Sequence, residues 1–403
     1  MTGSHAISKT RSCKSATGLD RFKRSVLVIF SPHYRRTCLL VALGLFSSAG
    51  LITGCATTDP DTSASNTDIS ELVWPLPPEQ PRIKYLRMLF SEDQIVPPKS
   101  TMSRLRDSIL GKSDEGGHQL KKPYAVHADN KGRVFVADSG WGKVLVFDEK
   151  NKSFDIWGKQ GKGILAKPLG ITSDSNGNIY VTDSVKQRIV MYSPDGNFVH
   201  AIGQKGELKR PIGIAVDEDR NRIYVVDSKA HQIVVYNEAG TLLERIGTRG
   251  TEPGQFNIPT NIAVDSSGKL YVTDSMNFRV QILSSKGEPI RQFGSNGDGR
   301  GQFVRAKGID VDSHGNIYVA DAAFNNLQIF NQQGQLLMAL GSPGRNPGQF
   351  QLPAGIHIDD ADNIYVADQY NWRIQIFQFL NKTDGSKSNN AITGADKDTP
   401  ETS

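Results

Sequence analysis

A strand ending in Val-x-Asp recurs six times between residues 134 and 368, closing on Asp138, Asp183, Asp227, Asp274, Asp321 and Asp368. The intervals between these Asp residues are 45, 44, 47, 47 and 47. So regular a period constrains the chain more than composition does. A unit of this length cannot bury its own apolar faces and must stack on copies of itself. The longer intervals carry a Gly-Gln-Phe turn ending in Phe256, Phe303 and Phe350, and the shorter ones have other Gly-rich turns.

Each unit divides into four short strands. The first resembles Pro211-Ile-Gly-Ile-Ala-Val-Asp217, and the Tyr-Val strand follows after a Gly/Asn turn. A third strand such as Gln232-Ile-Val-Val-Tyr236 comes next, and a second Gly turn leads to Leu242-Leu-Glu-Arg-Ile-Gly247. Period-2 alternation, β-branched and aromatic residues and bounding Gly/Asn/Asp turns predict strands throughout, with no helical period. Six four-stranded units predict an all-β chain folded as a six-bladed β-propeller of antiparallel blades. The last unit stops after Ile374-Gln-Ile-Phe-Gln-Phe379, one strand short. Ile83-Lys-Tyr-Leu-Arg-Met-Leu-Phe90 resembles the missing strand, so residues 83–90 are expected to close the ring from the N-terminal side and remove its open edge.

The motif Pro-x-Gly-Ile-x-Val-Asp, then Gly-Asn-Ile-Tyr-Val-x-Asp and an Arg-Ile-x-x-Phe strand, resembles the NHL-repeat family over roughly 260 to 300 residues. That resemblance implies a propeller but no single function, because the fold hosts scaffolds, RNA readers and enzymes. The chain is expected to divide into a leader (1–54), an N-terminal segment that tethers the body flexibly (55–80), the propeller (81–380) and a disordered tail (381–403). Within the propeller, 97–120 is an insertion expected to cap one face with a short amphipathic helix at Met102–Leu110, and the repeats run from about 121 to 380.

The chain's formal charge of +5 points toward nucleic acid until it is located. Residues 1–54 hold eight basic side chains and one acid, which leaves the remainder at −2. The excess belongs to a targeting segment: Arg35-Arg36, an uncharged, largely apolar run from Thr37, then Ile52-Thr53-Gly54-Cys55. This ending resembles a bacterial lipobox, which implies cleavage before Cys55 and acylation of that residue; several acyl chains anchor stably where one would not. A transmembrane anchor is the alternative, and the polar Thr57–Ser70 stretch argues against it. Ala56, not Asp, follows the Cys, which by resemblance favours the outer membrane. The long segment before Arg35 fits either a late true start or a twin-arginine route. Cys13 and Cys38 lie in the leader, so no disulfide is expected in the mature chain.

Six repeated Asp residues read as turn caps, not as one metal site. Arg188, Arg279 and Arg373, five residues further on, read as a feature of the blades. The fifth position of the first-strand motif is His127, Thr172, Ala215, Ala263, Asp310 and His357. The ionisable members belong to blades one, five and six, neighbours in a closed ring. His127, Asp310 and His357 are thus a candidate divalent-metal site, or alternatively buried polar groups bonded to backbone. The peptidyl-α-hydroxyglycine amidating lyase, a propeller this chain resembles, carries its zinc histidines directly after the Pro of this strand. Here those positions are Tyr124, Leu169, Ile212, Thr260, Lys307 and Ala354, none of them His, which argues against such a lyase. Tyr124, Thr260 and Lys307 are instead candidates for a ligand-binding mouth. The Gly clusters are blade turns, not phosphate loops, and no nucleophile elbow occurs. Trp141, His231 and Trp372 fall in turns and read as loop packing or the mark of a binding face.

The expected function is non-catalytic binding of an envelope protein, peptide or glycan, with the membrane as partner through the anchor, no catalytic residues and no cofactor. The alternative is a metal-assisted lyase or hydrolase on the axis. Nucleic acid is not expected as a partner, because the exported body lacks net positive charge.

Overall fold

The structure, a computed structural model, describes residues 72–97 and 117–380, with Met102 and Ile109 between them. The leader, Cys55, most of the expected cap helix and the C-terminal tail lie outside the described residues. Two short strands come first, β1 (Val73–Trp74) and β2 (Ile83–Leu89). Blade one is β3 (Pro123–Ala128), β4 (Arg133–Asp138), β5 (Lys143–Asp148) and β6 (Ser153–Trp157). Blade two is β7 (Pro168–Ser173), β8 (Ile179–Asp183), β9 (Arg188–Tyr192) and β10 (Phe198–Ile202). Blade three is β11 (Pro211–Asp217), β12 (Arg222–Asp227), β13 (Gln232–Tyr236) and β14 (Leu242–Ile246). Blade four is β15 (Pro259–Val264), β16 (Leu270–Asp274), β17 (Arg279–Leu283) and β18 (Pro289–Phe293). Blade five is β19 (Ala306–Val311), β20 (Ile317–Asp321), β21 (Asn326–Phe330) and β22 (Leu336–Leu340). Blade six begins with β23 (Pro353–Ile358), β24 (Asn363–Asp368) and β25 (Arg373–Phe379).

Each blade is an antiparallel meander ordered from the axis outward, and each innermost strand packs on those of both neighbours, with β23 against β3 completing the ring. The closing strand stands where the sequence predicts it. β2 pairs with β25, Ile83 opposite Phe379 and Leu89 opposite Ile374. Blade six has a fifth strand as well: β1 pairs with β2, Val73 opposite Lys84. The tether drawn from the sequence as 55–80 therefore overruns into the sheet. Trp74 meets the Phe377 ring edge-on at 5.7 Å, so an aromatic side chain of this Pro-rich stretch packs, partly buried, against the core.

Apolar clusters lie between neighbouring blades. Ala125, Phe135 and Val144 of blade one interlock with Ile171, Val181 and Val190 of blade two, all buried. Ile83 and Tyr85 enter the cluster between blades five and six with Leu327, Ile329 and Phe377. This is why one strand from far upstream can hold the ring shut: it adds apolar contacts as well as ladder hydrogen bonds.

The repeat motif has a local cause at each position. The Gly of Pro-x-Gly-Ile sits where inner strands almost touch. A Cβ on Gly170 would fall 2.1 Å from the Ile212 carbonyl oxygen, and one on Gly308 2.2 Å from the Ala354 carbonyl oxygen. The terminal Asp of every second strand is fully buried. Asp321 accepts from the backbone N–H groups of Val304 (2.8 Å), Arg305 and Ala323, so it ties the loop entering its own blade. Asp138 and Asp183 do the same. In the Gly-Gln-Phe blades a Gln on the third strand completes the clamp. Gln281 accepts from Gly254 N–H and donates to the Gln255 carbonyl, and Gln375 repeats this with Gly348 and Gln349. Arg279 and Arg373, both buried, pair with Asp274 and Asp368 at 2.9 Å and donate to carbonyls of the same loops. Arg188 donates to Lys162 and Ile164 carbonyls. These arginines hold loops in place.

Candidate functional site

The inner strands run along the axis, so their second residues gather at one end of the ring and their fifth at the other. Between the fifth-position residues lies an axial cavity of about 290 Å³, lined by His127, Thr172, Ala215, Ala263, Asp310 and His357 among others. Ring closure brings His127 and His357 together, with centroids 4.3 Å apart. His357 Nδ1 stands 3.5 Å from Asp310 Oδ2.

The polar atoms of this group are engaged around the ring. Asp310 accepts from the backbone N–H of Ile358 at 2.7 Å and of Val311 at 2.9 Å. His357 Nε2 lies 3.1 Å from the Ala128 carbonyl, which only accepts, so Nε2 carries the proton. His127 Nε2 reaches Ser173 Oγ at 2.8 Å. The result is a chain of polar contacts running from blade five through six and one to two. Burial, reinforced by the adjacent His357, holds the His127 pKa well below its usual value, so that ring is neutral at pH 7. Among the described residues no group of three or more His, Cys, Asp or Glu is arranged to hold a metal ion. In this arrangement one nitrogen of each His is already committed to a protein partner.

At the opposite end Tyr124 and Lys307 meet, and the Thr260 hydroxyl is bonded within the strand layer. Lys307 Nζ lies 5.5 Å from the centre of the Tyr124 ring and 3.4 Å from Gln369 Oε1. Thr260 Oγ1 is 2.9 Å from Thr273 Oγ1 and donates toward the Lys307 and Ala306 carbonyls, so it braces the mouth from within the strand layer. Burial, with the charges of Arg305 and Lys122, lowers the Lys307 pKa to about 8. Burial also raises that of Tyr124.

The turns beside this mouth carry exposed aromatic side chains. Tyr370 is 45% and Trp372 56% exposed, with Lys122 Nζ 5.6 Å from the Tyr370 ring. Trp141 is packed: its indole N–H donates to the Gln119 carbonyl at 2.8 Å, and Lys121 Nζ lies over its ring at 3.3 Å. His118, Lys121, Trp141 and Trp372 line an open groove of about 850 Å³. His231 accepts from Ile258 N–H and is a loop support. Sequence reasoning passed over Gln369, Tyr370 and the cations around the mouth. A signal was present: the residue before the inner strand is basic in four blades, Lys122, Lys167, Arg210 and Arg305.

A closed ring of six antiparallel blades defines this protein as a β-propeller. Residues 165–246 and 313–384 match a family described as a 6-bladed beta-propeller, and residues 256–283 match the NHL repeat. The chain is a six-bladed β-propeller, and one of its repeats matches the NHL model. A search of curated proteins returns no match. Among solved structures, the chain is similar to a protein of unknown function from Bacteroides thetaiotaomicron, at 19% identity and a TM-score of 0.50, covering 65% of this chain and 70% of that one. It is also similar to virginiamycin B lyase from Staphylococcus aureus, at 14% identity and a TM-score of 0.49, covering 65% and 97%. Likeness of this degree concerns the fold alone.

Proposed function

We propose that the chain is a membrane-anchored envelope lipoprotein, held through lipidated Cys55 on the periplasmic side of the outer membrane, whose propeller binds a protein, peptide or glycan without acting on it chemically. The observation that carries the binding reading is the composition of one ring face. There the half-buried Tyr124 and Lys307 meet, and the turn that supplies Gln369 to Lys307 also carries the exposed Tyr370 and Trp372. Exposed aromatic side chains beside a recessed polar group supply the anchor and orientation that recognition needs. The anchor reading rests on the Ile-Thr-Gly-Cys55 ending and on Ala56.

Affinity capture from intact cells tests both parts. The full chain should sediment with outer membranes and release on Cys55→Ser. It should also recover a discrete partner that is lost on Tyr370→Ala/Trp372→Ala. Recovery of the same abundant envelope proteins by both forms would overturn the binding reading.

A second reading follows from the 4.3 Å approach of His127 and His357 beside Asp310. These side chains would hold a divalent metal for a lyase or hydrolase, after turning their ring nitrogens from Ser173 and Ala128 toward the axis. Stoichiometric metal in the purified chain, lost on His357→Ala, is the result that reading requires; purified chain free of metal speaks against it.

A further inference from the structure

The two faces of the ring differ in charge. Turns joining the first and second strands of each blade open with an acid: Asp129, Asp174, Glu218, Asp265, Asp312 and Asp359. Turns joining the second and third strands, at 139–142, 184–187, 228–231, 275–278, 322–325 and 369–372, contain no Asp or Glu. Cations border the mouth on this second face, with Lys122, Lys167, Arg210 and Arg305 all exposed. Exposed apolar side chains share it: Val185, Ile258, Met276, Val304, Tyr370 and Trp372. Among the described residues the acidic turns expose no large apolar side chain.

Lys307 sits at the centre of this face. Its ammonium is half-buried, with Gln369 at 3.4 Å as its hydrogen-bond partner and the Tyr124 ring beside it. Among the described residues no carboxylate pairs with it, and the neighbouring charges are the cations Arg305 and Lys122. A half-buried ammonium ringed by like charge lacks the counter-ion that would offset its desolvation. An incoming carboxylate would supply that counter-ion and a charge-assisted hydrogen bond. A half-buried amine of this kind suits a carboxylate carried on a flexible chain better than a flat anionic surface.

Building on the binding reading above, we propose that this face docks an acidic peptide segment, with one peptide carboxylate seated against Lys307 beside Tyr124 and apolar side chains lying on Met276, Tyr370 and Trp372. Cation steering explains approach, and the half-buried amine together with the exposed apolar side chains of the same face explains register.

The test measures fluorescence anisotropy of labelled poly(Glu-Tyr) copolymer with the full chain, beside polyglutamate, poly(Lys-Tyr), poly-uridylate and phosphatidylglycerol vesicles. The copolymer should bind more tightly than polyglutamate, weaken with salt, and weaken again as pH rises through about 8, where Lys307 loses its proton. Lys307→Met and, separately, the surface variant Arg305→Glu should each weaken binding tenfold or more, with Lys131→Glu on the opposite face without effect. Melting temperatures confirm that the variants fold. Absent copolymer binding, equal binding by wild type and both variants, or preference for RNA or vesicles would overturn the proposal. If the copolymer fails while cell capture still recovers a partner through Tyr370 and Trp372, the acidic-peptide assignment falls and the binding reading stands.

Discussion

Replacing Ile83 by Ala tests how the ring is held shut. Ile83 is fully buried in the cluster between blades five and six, although it precedes the first blade by about forty residues of sequence. Removing its outer carbons takes apolar area out of a packed site and leaves a cavity, together about 2–5 kcal/mol. For a domain of this size that corresponds to a fall of roughly 4–10 °C in Tm. Leu86 lies on the same strand but is 38% exposed, so Leu86→Ala should change stability by no more than about 0.5 kcal/mol. Calorimetry on the pair isolates packing from strand propensity. Deleting residues 81–91 removes Ile83, Tyr85 and Leu89, all buried, and strips β25 of its outer partner. At about 1.5–3 kcal/mol each, the three side chains approach the whole stability of a typical domain, so the deletion should leave the chain unfolded. Equal melting temperatures for Ile83→Ala and Leu86→Ala, or an unchanged value after the deletion, would refute this account of closure.

Three further outcomes are expected. Gly170→Ala should destabilise by about 3 kcal/mol or more in denaturant titration, because its Cβ would meet the Ile212 carbonyl oxygen at 2.1 Å; a loss below 1 kcal/mol would show that the inner strands can part. Asp321→Ala should cost about 3–5 kcal/mol by leaving several loop N–H groups without an acceptor, and Asp321→Asn less, since it keeps one oxygen. Lys307 has a pKa near 8 in the folded chain against the ordinary 10.5, so between these values the unfolded chain binds the extra proton. Stability should therefore rise from pH 8 to 10.5, by up to about 3 kcal/mol before solvent screening, and Lys307→Met should flatten that rise. A parallel pH profile for the variant would remove Lys307 as its cause.

The blades were legible because their determinants are local. Alternation, the Asp caps and the Gly turns act within one unit, and six copies of one pattern reinforce the reading. Even the closing strand could be found, since Ile83–Leu89 carries the same pattern as the outer strands it joins. The fifth strand was hidden: Val73–Trp74 is two residues long and lies in a Pro-rich stretch with no period to read. The candidate residues fared unevenly for the same reason. Blade order sufficed to place His127, Asp310 and His357 near one another. It could not show that their polar atoms are spent on Ser173, Ala128 and backbone N–H groups. Nor could it show that Thr260 turns toward the Lys307 carbonyl while Lys307 itself meets Tyr124 and Gln369.

Taken alone, the sequence determined the number of blades, their four-strand plan, the strand that completes the last, and the location of the excess positive charge in the first 54 residues. These follow from patterns a few residues long. Tertiary structure alone decided which loops share a face. Residues as far apart as Lys122 and Tyr370 become neighbours only because β23 packs on β3. Closing the ring sorts turns of one kind to each side, so cations and exposed apolar side chains scattered over the sequence gather around one half-buried lysine while the acids that open the first turns of the blades gather opposite.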